Sequence, residues 1–312
     1  MNPKFLKTFL AVTRHRNLTR AAAEIHLSQS SVSDQIQTLE AEMGASLFIR
    51  AKAGLELTPA GEALKPYAEQ MLAIEDEARA AVAATMEDEG GTLTIGALET
   101  IASSRLAPWL SRFRTNHPQI DLKLRIGSSG ELIDKLERRE IDIAFCFHEG
   151  DVDERLVKRT VAKEPILLIG SPDRASVDDP FDLNILSSAE FVVTEPGCVY
   201  RRMFQGAFTE AGFRPPKPAA EVGSINAITK LVAAGVGLAL VPRMAICEDL
   251  QQGYVIELPW PGMAQTAALT IIWRRRRVQP SALRKLIAAV TDHSTLIRSA
   301  GDRRPHAEPC LS

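Results

Sequence analysis

The stretch LTRAAAEIHLSQSSVSDQIQTLE, residues 18–40, decides how this chain is read. Ala21, Ala22 and Ala23 predict a short helix starting at Thr19, a residue type that caps helix N-termini well. Their small side chains let a second helix cross closely. Ser28 is the expected N-cap of that next helix, with Leu27 placed to staple against Val32. Only His26, Leu27 and Ser28 lie between the two helices, which leaves room for a tight turn and nothing more. This is the helix-turn-helix arrangement.

At 3.6 residues per turn, Val32, Ile36 and Leu39 share one face of the second helix. Ser30, Ser33, Asp34 and Gln37 share the opposite face. Short hydroxyl, amide and carboxylate groups on an exposed helix suit the edges of bases in a major groove, which admits one α-helix. A plain solvated face is the alternative for any amphipathic helix; the short turn and the alanine-rich helix before it favour the groove.

Working outward, Phe5, Phe9 and Val12, with Leu6 and Leu10 beside them, predict a first helix. Downstream, Leu47-Phe48-Ile49 and Leu55-Glu56-Leu57 flank Arg50 to Gly54, a hairpin signal whose tip carries Arg50 and Lys52. Such a wing suits phosphate contact, which positions a protein without reading sequence. Residues 1–62 hold seven Lys/Arg against six Asp/Glu, so any nucleic-acid contact is by placed residues and not by a polybasic coat. Thr19, Arg20, Gln29, Ser30, Ser31, Ser33, Asp34, Gln37, Arg50 and Lys52 form the candidate DNA-binding set.

Thr58-Pro59 opens a long helix reaching about Glu89, with Pro at its first position. Leu64, Tyr67, Met71, Ile74, Ala78 and Ala81 recur at alternating steps of three and four, the seam of a helix with a partner. The alternative is that this stripe packs on the chain's own second domain. Beyond Gly90-Gly91, extended runs alternate with helical ones: Thr92–Leu98, Asp121–Ile126, Ile141–Phe147, Ile166–Ile169, Phe191–Val193 and Gly237–Val241 read as strands of a mainly parallel α/β sheet. The expected division is a head at 1–58, a linker helix at 59–89, a large α/β domain at 90–297 and a frayed tail at 298–312. The fold class is α+β, multi-domain.

In open α/β sheets ligands lie beyond the carboxyl ends of strands. Thr100, Ser128, Ser129, Phe147, Cys198 and Ser224 fall there, and several of these segments lead into helix N-termini, which attract anions. Each serine could instead be an N-cap; the convergence of several such ends favours a site for a small anionic metabolite.

The 312 residues allow about two domains of the usual ~150. With 45% hydrophobic and 24% charged residues and a formal charge of −2, the chain is an ordinary folded protein. The longest mostly apolar run, Leu231 to Pro242, is too short to span a bilayer, and Lys4, Lys7, Arg14 and Arg16 break any signal-peptide core. Cys146, Cys198, Cys247 and Cys310 lie far apart, and the six histidines are scattered, so reduced thiols in a cytoplasm are expected, with no metal and no cofactor. Gly235-Val236-Gly237 is a lone GxG, Arg274 to Arg277 read as a solvated charge run, and no Ser/His/Asp triad or carboxylate pair can be placed, so an enzyme has no residues to rest on.

The runs Leu18-Thr19-Arg20-Ala21-Ala22-Ala23, Leu27 to Ser33, Leu39-Glu40, Leu47-Phe48 and Leu57-Thr58-Pro59-Ala60-Gly61 resemble the N-terminal signature of LysR-type transcriptional regulators in order and spacing. One departure is Asp34, where many members carry a basic residue; no operator preference carries over. The resemblance implies a winged helix-turn-helix on double-stranded DNA and a linker helix that makes homodimers or homotetramers. It also implies a two-lobed effector domain resembling periplasmic binding proteins, crossed by the chain near 161–165 and 262–267, and contact with RNA polymerase. Cys198 is similar in position to the sensing cysteine of peroxide-responsive members, but no second cysteine follows before Glu210, which favours a pocket-wall thiol. The alternative from another class is a solute-binding or catalytic α/β protein whose N-terminal helices only mediate assembly.

Overall fold

Three helices make the head. They are α1 (Pro3–His15), α2 (Leu18–Glu24) and α3 (Gln29–Met43). A hairpin of β1 (Phe48–Ala51) and β2 (Gly54–Leu57) follows, then the long helix α4 (Pro59–Thr85). The structure is a computed structural model and describes residues 1–51, 54–85, 90–173, 182–261 and 265–292. Lys52, the end of the linker and the 298–312 tail lie outside the described residues.

The head core is built as the periodicity requires. Val32, Ile36 and Leu39 are buried with Leu6, Phe9, Val12, Ala21 and Ala22. Methyl side chains at 21 and 22 are what let α2 sit against α1 and α3. One capping expectation shifts. Asn17, not Thr19, caps α2, its side chain accepting from Arg20 N at 3.0 Å; Thr19 sits inside the first turn. Ser28 caps α3 as expected, accepting from Ser31 N at 3.2 Å. Val32 is buried and Leu27 before the cap is 40% exposed.

The hairpin is tighter than its composition suggests. Arg50 pairs with Leu55 and Ala51 with Gly54, so Arg50 is a strand residue and not part of the tip. Its register matches an exposed position. Glu40 anchors the hairpin to α3 by accepting from Leu47 N at 2.7 Å and Phe48 N at 3.2 Å. Thr58 caps α4, taking Gly61 N at 3.0 Å while donating to Ser46 O at 2.6 Å.

The predicted seam on α4 divides in two. Leu64 packs on the head with buried Ala68 and Leu72. Tyr67, Met71 and Ile74 are 64%, 40% and 65% exposed, and Ala78 is exposed with them. Leu64 therefore belongs to the head core and not to the outward stripe.

The chain forms two compact units, residues 1–88 with 276–280, and 89–275 with 281–312. The second unit opens with β3 (Gly91–Ala97), α5 (Glu99–Ile101), a π-helical turn (Ala102–Leu106) and α6 (Ala107–Asn116). Then come β4 (Ile120–Ile126), α7 (Ser129–Glu137), β5 (Ile143–Phe147) and the long β6 (Leu156–Gly170). α8 (Leu183–Ser187), β7 (Phe191–Val193), α9 (Val199–Glu210), β8 (Pro218–Glu221), α10 (Ile225–Ala233) and β9 (Ala239–Pro242) follow. The unit closes with α11 (Cys247–Gln251), β10 (Ile256–Leu258), β11 (Gln265–Arg274) and α12 (Ser281–Asp292).

The sheet is mixed, which corrects the mainly parallel expectation. β3 pairs in parallel with β4 and β5, as helical crossovers dictate. β11 returns from the far end of the sequence and lies antiparallel between β5 and β6. β6 also pairs antiparallel with β9 and β10. β6 and β11 thus join two halves, one built on β3–β5 and one on β7–β10. β5 is buried throughout: Ile143, Phe145 and Phe147 enter the main core, while Ala144 and Cys146 pack with Leu132 and Leu136 of α7.

Gly61 packs directly on backbone, since a Cβ there would stand 2.3 Å from the Leu47 carbonyl oxygen. Backbone offers no flexible side chain to move aside. Gly61→Ala is expected to destabilise the head by about 1–3 kcal/mol through overpacking, read as a lower urea midpoint for the head transition.

Candidate nucleic-acid interface and effector site

The outer face of α3 is polar and exposed. On α3, Ser30, Asp34 and Gln37 are exposed and Ser33 is half-exposed, opposite the buried Val32, Ile36 and Leu39. Thr19 and Arg20 of α2 are exposed, as are Gln29 at the start of α3 and Arg50 on β1; Ser31 is half-buried. Local bonds orient several of them. Thr19 Oγ1 donates to Gln29 Oε1 at 3.2 Å, and Ser28 Oγ lies 3.0 Å from Ser30 Oγ and 2.8 Å from Ser31 Oγ. Buried Thr8 donates to Gln35 Oε1 at 2.6 Å and holds α3 in rotation against α1. Lys52, the other wing residue, lies outside the described residues.

A cluster missed by the sequence reading ties the end of α1 to the end of α2. Glu24 accepts from both Arg14 and His15. Burial pushes its carboxyl up, but the bonds and charges of Arg14 and His15 outweigh that and hold its pKa below the usual value.

In the second unit the candidate effector residues are spread over both halves. Thr100 is buried at the start of the α5–α6 stretch. Ser128 and Glu131 form a capping box on α7, Ser128 N donating to Glu131 Oε2 at 2.8 Å. Ser129 Oγ donates to the Phe147 carbonyl at 3.1 Å. Ser224 caps α10, accepting from Ala227 N at 3.5 Å. Cys198 stands at the N-cap of α9 without a side-chain cap bond. The rings of Phe147 and Tyr200 meet edge-on, 5.7 Å between centroids, so the two halves touch between Ser129 and α9. Thr194, Tyr200 and Arg201 surround a cavity of about 10 Å³, the size for one water molecule.

Another group absent from the sequence reading lies where β6 passes between the halves. Glu164 is 2% exposed, accepts from Met244 N at 2.6 Å and pairs with Arg105 Nη2 at 3.2 Å. Burial raises its pKa, against the lowering effects of Met244 N, Arg105 and Arg243. No short-range pattern could have flagged it, because its partners stand 59 and 80 residues away. Burial likewise pushes the Cys146 thiol up to about 11, so it is an inert core thiol. Among the described residues no cluster of His, Cys, Asp or Glu could hold a metal ion, and no helix is long and apolar enough to cross a membrane.

Residues 3–62 match the bacterial regulatory helix-turn-helix family named for LysR, and residues 87–295 match the LysR substrate binding domain. The chain belongs to the LysR family of transcriptional regulators. It is 34% identical to the uncharacterized HTH-type transcriptional regulator YwqM of Bacillus subtilis, over 83% of this chain and 88% of that one. The fold of this LysR-type regulator is similar to full-length OxyR from Pseudomonas aeruginosa, with TM-score 0.68, 21% identity and 96% of each chain covered. It is also similar to full-length CbnR in complex with its target DNA, with TM-score 0.53, 25% identity, and 93% of this chain and 99% of that one covered. A helix-turn-helix domain and a substrate-binding α/β domain on one chain make it a transcription factor and not an enzyme.

Because the folded-state pKa of Glu24 is depressed, its ion pairs stabilise the head above the unfolded-state value of roughly 4.3. That stability is lost as pH falls through the lower folded value. Glu24→Gln is expected to lower the melting temperature of the head at pH 7 and to flatten its decline below about pH 4.3, measured by calorimetric scans across pH.

Proposed function

We propose that this regulator binds double-stranded DNA as a homodimer, reading sequence with the outer face of α3 and responding to a small anionic metabolite held in its second unit. The observation that carries the first part is the separation of faces on α3. Its apolar side is spent on the core, while Ser30, Ser33, Asp34 and Gln37 stand free of it. Asp34 accepts only, so it suits a cytosine amino group and disfavours phosphate. Arg50, from a strand beside α3, suits the phosphate backbone. The CbnR–DNA complex gives the precedent for a head of this fold on its target.

The outward stripe Tyr67, Met71, Ile74 and Ala78 supports the dimer, since a helix with two apolar faces and one core needs a second copy to cover the other. A tetramer follows if such dimers pair again, and RNA polymerase is the further partner of a regulator that activates. The compartment is that of the DNA, the bacterial cytoplasm. Thr100, Ser128, Ser129, Phe147, Cys198 and Ser224 frame the effector reading, with the N-termini of α7, α9 and α10 favouring negative charge.

Binding of variants to the region upstream of the chain's own gene tests the reading face. Ser33→Ala or Gln37→Ala is expected to weaken specific binding by about 1–3 kcal/mol and leave random DNA unaffected. Arg50→Ala is expected to weaken both alike and to reduce the salt slope by about one. Equal effects of all three on specific and random DNA would place the reading face elsewhere.

The seam has its own test in Ile74→Asp, which sets an uncompensated carboxylate into the dimer contact. Ultracentrifugation at micromolar protein is expected to show monomer, with operator binding lost as well. A variant that stays dimeric with native circular dichroism rules out this stripe as the interface.

A further inference from the structure

Three buried polar atoms of the second half have no hydrogen-bond partner among the described residues: Thr194 Oγ1, the Tyr200 hydroxyl and Arg201 Nε. Thr194 is 6% and Tyr200 4% exposed. All three residues line the same cavity of about 10 Å³, which Val192, Val193, Phe204 and Leu240 complete. A buried polar atom without a partner keeps its full desolvation cost, so three around one cavity define a site for a guest.

The sequence brings the three together over one short connection. Thr194 follows β7, Tyr200 and Arg201 lie in the first turn of α9, and only Glu195 to Val199 stand between. Part of this connection is already stitched to α9 through its carbonyls. Arg201 Nη1 donates to Thr194 O at 3.2 Å, and Arg202 Nη1 donates to Gly197 O at 3.0 Å. The hydroxyls of Thr194 and Tyr200 and the remaining Arg201 N–H are left over, on the apolar side of the same turn.

Size, charge and donor chemistry select the guest. A space of about 10 Å³ admits one water molecule and nothing larger. Arg201 Nη2 stands 3.8 Å from Glu221 Oε2, so the charge of the guanidinium is already answered. An anion would therefore bring a buried charge without a partner, and a cation is repelled by the guanidinium itself. Arg201 Nε can only donate, whereas a hydroxyl donates or accepts. Burial pushes the Tyr200 phenol well above its ordinary pKa and keeps it protonated at neutral pH. The guest is small and neutral, accepts one hydrogen bond and exchanges two more.

We infer that one water molecule is bound here as a structural part of the second half, accepting from Arg201 Nε and bonded to Thr194 Oγ1 and the Tyr200 hydroxyl. About three bonds to otherwise unpaired groups is the usual complement of a buried water. This one bridges the end of β7 to the first turn of α9. It also fixes the polar end of Tyr200, whose ring bears edge-on against Phe147 of the first half. The connection that carries Cys198 is thus held by solvent as well as by protein.

A crystal structure of the full-length protein, grown in sodium bromide and resolved well enough to show ordered solvent, tests the site. One density peak is expected in the cavity, at about 2.7–3.2 Å from each of the three atoms and without anomalous signal. A bromide anomalous peak there overturns the neutral guest. No density, or side chains turned to bond one another, overturns the site itself. The double variant Thr194→Val with Tyr200→Phe keeps both shapes closely and removes two of the three bonds. It is expected to lack the peak. Iodoacetamide is expected to label its Cys198 about fivefold faster, the change in local opening that one lost hydrogen bond gives, with Cys247 unchanged in peptide-resolved mass spectrometry. A peak retained in the variant overturns the assignment of the three atoms. Loss of the peak with Cys198 labelling unchanged, or with Cys198 and Cys247 accelerated alike, overturns the bridging role.

Discussion

Helix α4 has two apolar faces and the head covers one of them. Ala68 and Leu72 complete the core beneath α1, while Tyr67, Met71 and Ile74 are left in water. Fully burying a side chain such as Met or Ile is worth about 1.5–3 kcal/mol, so the uncovered stripe is a large unrealised stabilisation on a single helix. It also fixes the logic of the head. Because α4 is welded to α1 by the first face, whatever covers the second face sets where α3 points. Two copies joined along this stripe carry two α3 helices in a fixed relation, which is what a two-fold DNA site requires.

In the second unit the corresponding constraint is a buried carboxylate. Glu164 stands on the strand that passes between the halves and is satisfied by a backbone amide from one side and a guanidinium from the other. Removing either partner leaves a charge in a dry place, which costs far more than the pair itself contributes. The pair therefore specifies how the halves meet more than it adds stability.

Legibility in the sequence followed the range of the interactions. The core face of α3, the Ser28 cap and the start of α4 at Pro59 depend on residues within a turn or two, and periodicity exposes them. Asn17 displaced Thr19 as a cap because both are good capping types two residues apart, and the backbone of α1 ends at Arg16 in a left-handed conformation that delivers the chain to Asn17. The mixed sheet was hidden because β11 pairs with strands more than a hundred residues earlier. Leu64 obeyed the seam spacing yet faces the head, since a heptad stripe on a helix with two partners does not say where one face ends. Arg105, Glu164 and Met244 were invisible for the same reason as β11: only the fold brings them together.

In the proposed dimer two α3 helices, held in register by α4, read two half-sites of DNA. Base-resolved footprinting on the region upstream of the chain's own gene tests it most directly. The account predicts two protected major-groove half-sites on one face of the duplex, centred a whole number of helical turns apart, at about 10–10.5 base pairs per turn. A single protected half-site at saturation, or protection without a preferred sequence, would contradict it.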